Sequence, residues 1–92
     1  MQDVQGKTAF ITGGASGIGF GMARAFLQGG MKVVIADLAQ DRLDDAAAQL
    51  AATNHRDVHF LRVDVSDRAA MARAADEAER VFGKVHVVCN NA

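Results

Sequence analysis

The stretch Ile11–Gly21, ITGGASGIGFG, decides the fold because it places five glycines between an apolar run and a helical pattern. Each glycine inside a regular element costs about 0.5–1 kcal/mol relative to alanine. A chain that accepts this cost repeatedly needs either backbone angles that a Cβ forbids or a close approach of its backbone to another group. The stretch therefore predicts a functional loop between a strand, Thr8–Thr12, and a helix, Gly17–Gln28.

Three further apolar runs have the composition of strands and alternate with segments of helical period. The strands are predicted at Lys32–Asp37, Val58–Val63 and Val85–Cys89. Apolar residues at helical spacing predict a helix after each of the first three strands. The three apolar stripes are Ile18, Met22, Ala25 and Phe26, then Leu43, Ala46, Ala47, Leu50 and Ala51, and finally Met71, Ala74, Ala75, Ala78 and Phe82. Asp41 and Ser66 stand where the second and third helices would have their N-caps.

The resulting order, β-α-β-α-β-α-β with short connections, is typical of parallel strands joined by right-handed helical crossovers. Such crossovers place the strands in the order 3-2-1-4, with the first two helices on one face and the third on the other. We therefore predict an α/β fold with a truncated, Rossmann-like, doubly wound parallel sheet. No linker or shift of composition divides the chain, so residues 1–92 are expected to form part of a single domain.

The overall composition excludes several classes of function. The net charge is −1 and the sequence pI is about 6.2, without the basic excess that a nucleic-acid surface requires. No apolar run is long enough for a membrane span, and the first residues lack the pattern of a signal peptide. The single cysteine, Cys89, excludes an internal disulfide. We therefore expect a cytoplasmic protein that binds neither nucleic acid nor membranes.

The glycine loop and an acidic residue together indicate the ligand. A helix N-terminus carries free N–H groups and a partial positive charge, and it therefore attracts phosphate. Glycines let the backbone approach a pyrophosphate closely. Asp37 ends the second strand about 20 residues after the loop, where the carboxylate that binds a nucleotide ribose belongs. The combination of strand, glycine turn, helix and acid predicts a dinucleotide-binding site.

The spacing of the glycines identifies the chain more narrowly. Thr12–Gly19 has the form T-G-x-x-x-G-x-G, which resembles the short-chain dehydrogenase/reductase family. Two further matches follow in order: Asp64-Val65 at the end of the third strand, and Asn90-Asn91-Ala92 after the fourth, which is similar to the start of the family's N-N-A-G motif. Together with Asp37, the matches extend over the whole chain.

The resemblance implies a role in cofactor binding for each matched residue. Asp64 and Val65 would flank the adenine. Asn90 would lie beside the ribose and fix the central strands, and Asn91 and Ala92 would continue beneath the cofactor. The residues that would cradle the phosphates and the adenosine ribose are Gly13, Ser16, Gly17, Ile18 and Gly19.

The charge near the ribose indicates which dinucleotide is bound. The resemblance implies that Asp37 accepts hydrogen bonds from the ribose hydroxyls, and its carboxylate would repel the 2′-phosphate of NADP. Ser16 and Leu38 occupy positions from which a basic residue would bind that phosphate, and neither is Lys or Arg. Arg42 is near in sequence but is expected to lie on the following helix. We therefore predict that NAD is preferred over NADP.

The catalytic residues of the family have no counterpart in the chain. The resemblance implies hydride transfer between NAD and a small alcohol or ketone, with a Tyr as acid/base, a Lys four residues later and an assisting Ser. The sequence contains no Tyr, and its lysines, Lys7, Lys32 and Lys84, stand in no Y-x-x-x-K context. We therefore expect the 92-residue chain alone to be inactive and the catalytic half of the parent enzyme to follow it.

Two alternatives stay open, and the assembly state is a further expectation. The chain could be a non-catalytic NAD-binding module, or a fragment of a Rossmann-like methyltransferase, a class that also places an acid after its second strand. The glycine spacing and Asn90-Asn91-Ala92 disfavour the methyltransferase. The fourth strand would lie at an edge of the sheet with exposed apolar side chains, and such an edge is a template for pairing with another chain. We therefore predict a homo-oligomer.

Overall fold

The computed structural model of the chain describes residues 5–53 and 57–91. Four parallel strands form one sheet in the order β3-β2-β1-β4, which confirms the predicted topology. The elements are β1 (Thr8–Thr12), α1 (Gly17–Gln28), β2 (Lys32–Asp37), α2 (Gln40–Ala52), β3 (Val58–Arg62), α3 (Arg68–Phe82) and β4 (Val87–Asn90). Because all four strands are parallel, their carboxyl ends meet at one edge of the sheet.

Helices cover both faces of the sheet, as a doubly wound fold requires. Side chains alternate across a strand, so that Ile11 and Ile35 point to one face and Phe10 and Val34 point to the other. The first face packs against α1 and α2 through Ala23, Leu27, Leu43, Ala46 and Leu50. The second face packs against α3 through Ala74 and Ala78. The predicted division of the helices between the faces is therefore confirmed.

The predicted apolar stripe of α1 is wrong. Ile18 is 80% exposed, Ala25 is exposed, and Met22 and Phe26 are only half-buried. The buried residues of this helix are instead Gly19, Phe20, Ala23 and Leu27. The helix carries apolar residues on more than one side, so its period alone leaves two faces to choose from. On the other two helices the buried positions lie within the predicted stripes, although Ala51 and Ala75 are exposed.

Both predicted helix caps, and two of the strand boundaries, also need correction. Residue Asp41 lies in the first turn of α2, and Ala39 is the N-cap. At the start of α3 the N-cap is Asp67, whose carboxylate accepts a hydrogen bond from the N–H of Ala70 at 3.1 Å, whereas Ser66 donates to Asp64 instead. A carboxylate is as good an N-cap as a hydroxyl, and here Asp67 is one residue closer to the helix. Strand β3 ends one residue early, and β4 is shifted towards Asn90.

Within the described residues, strand β4 lies at the edge of the sheet and pairs with β1. Val87 and Cys89 pack on the α1–α2 face, while Val88 points to the α3 face and is 69% exposed. A groove of about 240 Å³ lies beside Val88 and is lined by apolar side chains of Phe10, Met71, Ala75 and Val85 and by Glu79. Among the helices of the described residues, none has the length and apolar character needed to cross a membrane.

Candidate functional site

A cavity of about 300 Å³ lies at the carboxyl edge of the sheet, where an open α/β fold binds its ligand. Seven of the predicted site residues line it, together with Arg42 and Val63, which the sequence did not single out: the seven are Gly13, Ser16, Asp37, Leu38, Asp64, Val65 and Asn91. The other predicted residues that the structure describes lie outside its lining, with Gly17, Ile18 and Gly19 in the first turn of α1 and Asn90 at the end of β4. Ala92 lies outside the described residues.

The glycine loop brings the N-terminus of α1 close to β1 and leaves its backbone accessible. A Cβ on Gly19 would overlap the carbonyl oxygen of Gly13, so only glycine permits this approach of helix to loop. Gly17 has a φ of +59°, which favours glycine, and a Cβ there would meet no atom within 4 Å. The N-cap Ser16 makes no side-chain hydrogen bond to the helix. The first N–H groups of α1 are therefore not capped by the Ser16 side chain, and this arrangement fits a phosphate group.

Asp37 is a buried carboxylate whose two oxygens have very different surroundings. Its side chain is only 4% exposed. Oδ1 accepts hydrogen bonds from Arg42 Nη2 at 2.9 Å, from Arg42 Nε at 3.2 Å and from the N–H of Ala39 at 3.2 Å. Among the residues that the structure describes, Oδ2 accepts one hydrogen bond, a long one of 3.4 Å from the N–H of Ala15. Oδ2 is therefore the oxygen with room for a further donor.

The carboxyl of Asp37 is ionised at neutral pH despite its burial. Burial raises the pKa of Asp37, but the hydrogen bond and charge of Arg42 and the N–H groups of Ala39 and Ala15 outweigh it, so the pKa lies below its usual value. A buried carboxylate that keeps its charge needs such partners. The site therefore holds a fixed negative charge that is largely compensated by one cation.

Arg42 is the site residue that sequence reasoning missed. As expected it lies on α2, but its side chain reaches back across the first turn to Asp37 and lines the cavity while remaining 49% exposed. The direction of helical side chains could have revealed it, because they lean towards the N-terminus of their helix. A long basic side chain in the first turn after a strand-ending acid is therefore placed to contact that acid.

Thr12 connects the end of β1 to the end of β4. Its hydroxyl donates a hydrogen bond to Asn90 Oδ1 at 2.8 Å and accepts one from the N–H of Asn91 at 3.2 Å. The same N–H also donates to the Thr12 carbonyl oxygen at 3.2 Å. The Asn91 side-chain amide in turn contacts Met22 Sδ at 3.8 Å, on α1. One buried hydroxyl thus fixes the segment that follows β4 beside the glycine loop.

The remaining wall of the cavity combines a polar turn with exposed apolar side chains. Asp64 Oδ1 accepts hydrogen bonds from the Ser66 hydroxyl at 2.7 Å and the Ser66 N–H at 2.9 Å, and these lower the pKa of Asp64. Leu38 and Val65 are 56% and 39% exposed. Exposed apolar side chains that line a cavity offer a surface for a planar ring.

His59, His86 and Cys89 lie away from this cavity. His59 pairs with Glu77 on α3 at 2.8 Å, and His86 Nδ1 accepts a hydrogen bond from the N–H of Thr8 at 3.1 Å. Cys89 packs on the α1–α2 face of the sheet. His55 lies outside the described residues. Within residues 5–53 and 57–91, no group of three or more His, Cys, Asp or Glu side chains could hold a metal ion.

Comparison with known proteins places this geometry in a family. A family model described as short chain dehydrogenase matches residues 7–92. The C alpha-dehydrogenase of Sphingobium sp. strain SYK-6 is 46% identical over 91 residues, which are 99% of this chain and 30% of that protein.

Two solved structures resemble the fold closely. The apo form of LigO from Sphingobium sp. strain SYK-6 has a TM-score of 0.92 and 51% sequence identity, over 97% of this chain and 33% of that one. A short chain dehydrogenase/reductase from Burkholderia phymatum, solved in complex with NAD, has a TM-score of 0.88 and 39% identity, over 96% of this chain and 31% of that one. The chain thus spans about a third of the length of these three proteins.

Proposed function

Because the chain belongs to the short chain dehydrogenase family, we propose that it is the N-terminal, NAD-binding portion of a single Rossmann domain in an oxidoreductase. The complete enzyme would transfer hydride between NAD and an alcohol or carbonyl substrate. The observation that supports this most is the position of the Asp37 carboxylate, which lines the cavity at the end of β2 together with Gly13 and Ser16 of the glycine loop.

The residues around the cavity suit the parts of a dinucleotide. The uncapped N–H groups at the start of α1 would bind the pyrophosphate, with Gly13, Ser16, Gly17, Ile18 and Gly19 around it. Asp37 Oδ2 would accept a hydrogen bond from a ribose hydroxyl, because it has only one long hydrogen bond of its own. Leu38, Asp64 and Val65 would surround the adenine. When bound, the nicotinamide ring supplies the hydride acceptor or donor.

The segment after β4 would complete the cofactor site. The Thr12 hydroxyl holds Asn90 and the backbone of Asn91 at the carboxyl edge, next to α1. We propose that Asn90 lies beside the cofactor ribose, and that Asn91 and Ala92 continue beneath the cofactor. Fixing these residues before the ligand arrives reduces the entropy that binding must overcome.

We propose that NAD is preferred over NADP. The cavity is lined by two carboxylates, Asp37 and Asp64, and by one guanidinium, Arg42, so its net charge is negative. A 2′-phosphate would bring further negative charge towards Asp37 Oδ2, whereas a free 2′-hydroxyl would donate to it. A preference for NAD follows from that difference in electrostatic energy.

The chain itself would contribute cofactor binding and not the acid–base chemistry. It contains no Tyr, and proton transfer to or from the substrate oxygen needs a group of suitable pKa within hydrogen-bonding distance.

Family membership counts against the methyltransferase alternative. A non-catalytic NAD-binding module differs from the proposed enzyme in one observable, which is whether the reading frame continues past Ala92 into a Y-x-x-x-K segment. A cytoplasmic location stays a prediction of the sequence.

A titration of residues 1–92 with NAD and NADP tests the proposed function. We expect NAD to bind more tightly than NADP in calorimetry, and we expect no steady oxidation of alcohols or reduction of ketones by this polypeptide. S-adenosylmethionine serves as the control ligand and should not bind. Binding of S-adenosylmethionine in place of NAD, or tighter binding of NADP, would contradict the proposal, as would turnover traceable to this polypeptide.

We further propose that residues 1–92, prepared alone, associate with a second copy along the edge of β4. The edge has unpaired backbone groups next to Val88, which is 69% exposed beside an apolar groove. Light scattering at tens of micromolar should therefore detect a dimer or larger assembly, and Val88→Lys should shift it towards the monomer. Val81→Lys introduces the same charge on α3 and should leave the assembly unchanged. A folded monomer of the unaltered chain would refute the prediction.

A further inference from the structure

Arg42 forms its hydrogen bonds to Asp37 with one of the two carboxylate oxygens. The two guanidinium nitrogens that donate to Asp37, Nε and Nη2, contact the same carboxylate oxygen, Oδ1, at 3.2 and 2.9 Å. The strongest arrangement of such a pair instead uses two parallel hydrogen bonds to the two oxygens. The guanidinium is thus held by one oxygen only, and the other oxygen stays available to a ligand.

The guanidinium also remains accessible from the cavity. The Arg42 side chain is 49% exposed and lines the cavity beside Leu38 and Val65. Nε and Nη2 are its only nitrogens that hydrogen-bond to Asp37, so the guanidinium has further donors. An arginine with free donors at the edge of a nucleotide site is suited to bind phosphate.

A second arginine near the ribose side of the cavity has a different environment. Arg62, at the end of β3, donates from Nε to the carbonyl oxygen of Leu38 at 3.2 Å. It is exposed and does not line the cavity. Among the described residues, Arg42 is therefore the cation that directly faces both Asp37 and the cavity.

We propose that Arg42 is a specificity-determining residue of the ribose subsite: Asp37 engages Nε and Nη2 of its guanidinium, and loss of that carboxylate frees both nitrogens to bind a 2′-phosphate. This inference rests on the proposed binding of a dinucleotide in this cavity. Asp37 and Arg42 then determine the cofactor preference together. Asp37 selects the free hydroxyl, while Arg42 limits how strongly the carboxylate repels a phosphate.

An Asp37 substitution could change the cofactor preference in two ways. If Asp37 acts by repulsion alone, Asp37→Asn only removes the discrimination between NAD and NADP. If Arg42 is a restrained ligand, the same substitution reverses the preference, and the reversal disappears when Arg42 is also removed. Asparagine keeps the size of the side chain and an acceptor oxygen for the N–H of Ala39, so it changes mainly the charge.

The test uses 5′-AMP and adenosine 2′,5′-bisphosphate, which differ only in the 2′-phosphate, together with NAD and NADP. Dissociation constants are measured by calorimetry for the unaltered polypeptide encoded by the whole reading frame and for Asp37→Asn, Arg42→Gln and the double variant. We expect Asp37→Asn to bind the 2′-phosphate ligands more tightly than their counterparts without that phosphate. The double variant should bind the 2′-phosphate ligands about tenfold to a hundredfold more weakly than Asp37→Asn does, the range for one charge-assisted hydrogen bond. Arg42→Gln alone should increase the preference for 5′-AMP and NAD.

Arg62→Gln is the matched control, because it removes the same charge from a neighbouring position outside the cavity. Arg62→Gln should change the ratio of NAD affinity to NADP affinity much less than Arg42→Gln does. The inference would be overturned if Asp37→Asn and the double variant had the same ratio of NAD affinity to NADP affinity. It would also be overturned if Arg42→Gln and Arg62→Gln changed that ratio equally. If Asp37→Asn fails to fold, the comparison of Arg42→Gln with Arg62→Gln tests the inference by itself. Failure of the unaltered polypeptide to bind NAD or 5′-AMP would instead overturn the proposed function and this inference with it.

Discussion

Replacing Gly19 by alanine is expected to lower both the stability of the chain and its affinity for NAD. The added Cβ would overlap the carbonyl oxygen of Gly13 and approach Gly14 Cα at 3.1 Å, and both are backbone atoms that cannot rotate away. The loop and the start of α1 must therefore move apart. Overpacking of this kind destabilises by about 1–3 kcal/mol.

The loss of NAD affinity should follow from the same displacement. The N–H groups at the start of α1 would no longer point at the place of the pyrophosphate, and a charged hydrogen bond contributes about 1.5–3 kcal/mol. Loss of one such bond weakens binding about tenfold to a hundredfold. Urea unfolding and calorimetric titration with NAD measure the two effects.

Gly21 offers a matched control two residues further along the same helix. A Cβ there would meet no atom within 4 Å, and the residue is exposed in the interior of α1. Gly21→Ala should therefore raise the free energy of unfolding by about 1 kcal/mol through helix propensity and leave NAD affinity unchanged. If the two alanine variants behaved alike, the close approach of Gly19 to the loop would not matter for the site.

The topology and the position of Asp37 could be predicted because each depends on strong, local signals. Alternation of apolar strands with helical stripes and short connections left one reasonable strand order, and that order is confirmed. An acid that directly ends a strand has little freedom in where it lies. The prediction that Asp37 and the glycine loop belong to one site therefore needed only the topology, and the two do line the same cavity.

The buried face of α1 could not be predicted because it is set by a contact between elements. The sequence GIGFGMARAFLQ carries apolar residues around most of the helix, and periodicity favoured the side with Ile18. Gly19 approaches the loop closely, and Phe20, Ala23 and Leu27 are buried on the same helix. Ile18 is thereby left exposed in the first turn of α1.

The role of Arg42 escaped the sequence analysis for a different reason. Its position on α2 was predicted, but a position on a helix does not say how far a long side chain reaches. Arginine spans the first turn of α2 and contacts a residue five positions earlier in the chain. Charge arguments that consider only the residues next to Asp37 therefore describe a free carboxylate, whereas the structure has an ion pair.

Replacing Thr12 by valine is expected to loosen the end of β4 against β1 while leaving the core and the backbone pairing of the two strands intact. Valine keeps the shape of the side chain, which is 3% exposed, but removes the hydroxyl that bonds to Asn90 Oδ1 and to the N–H of Asn91. Two hydrogen bonds of about 0.5–1.5 kcal/mol each give an expected loss of about 1–3 kcal/mol in the free energy of unfolding.

The same change should weaken NAD binding, because the Asn90 side chain would lose its hydrogen-bond partner and would have to be ordered by the ligand itself. Ordering loose groups on binding costs affinity, and we expect a decrease of about tenfold. Thr12→Ser is the control: it keeps the hydroxyl and loses only a methyl group, so it should retain most of the affinity even where it lowers stability. Because valine and serine separate hydrogen bonding from packing, a serine variant as impaired in NAD binding as the valine variant would show that packing, and not the hydroxyl, positions this edge of the site.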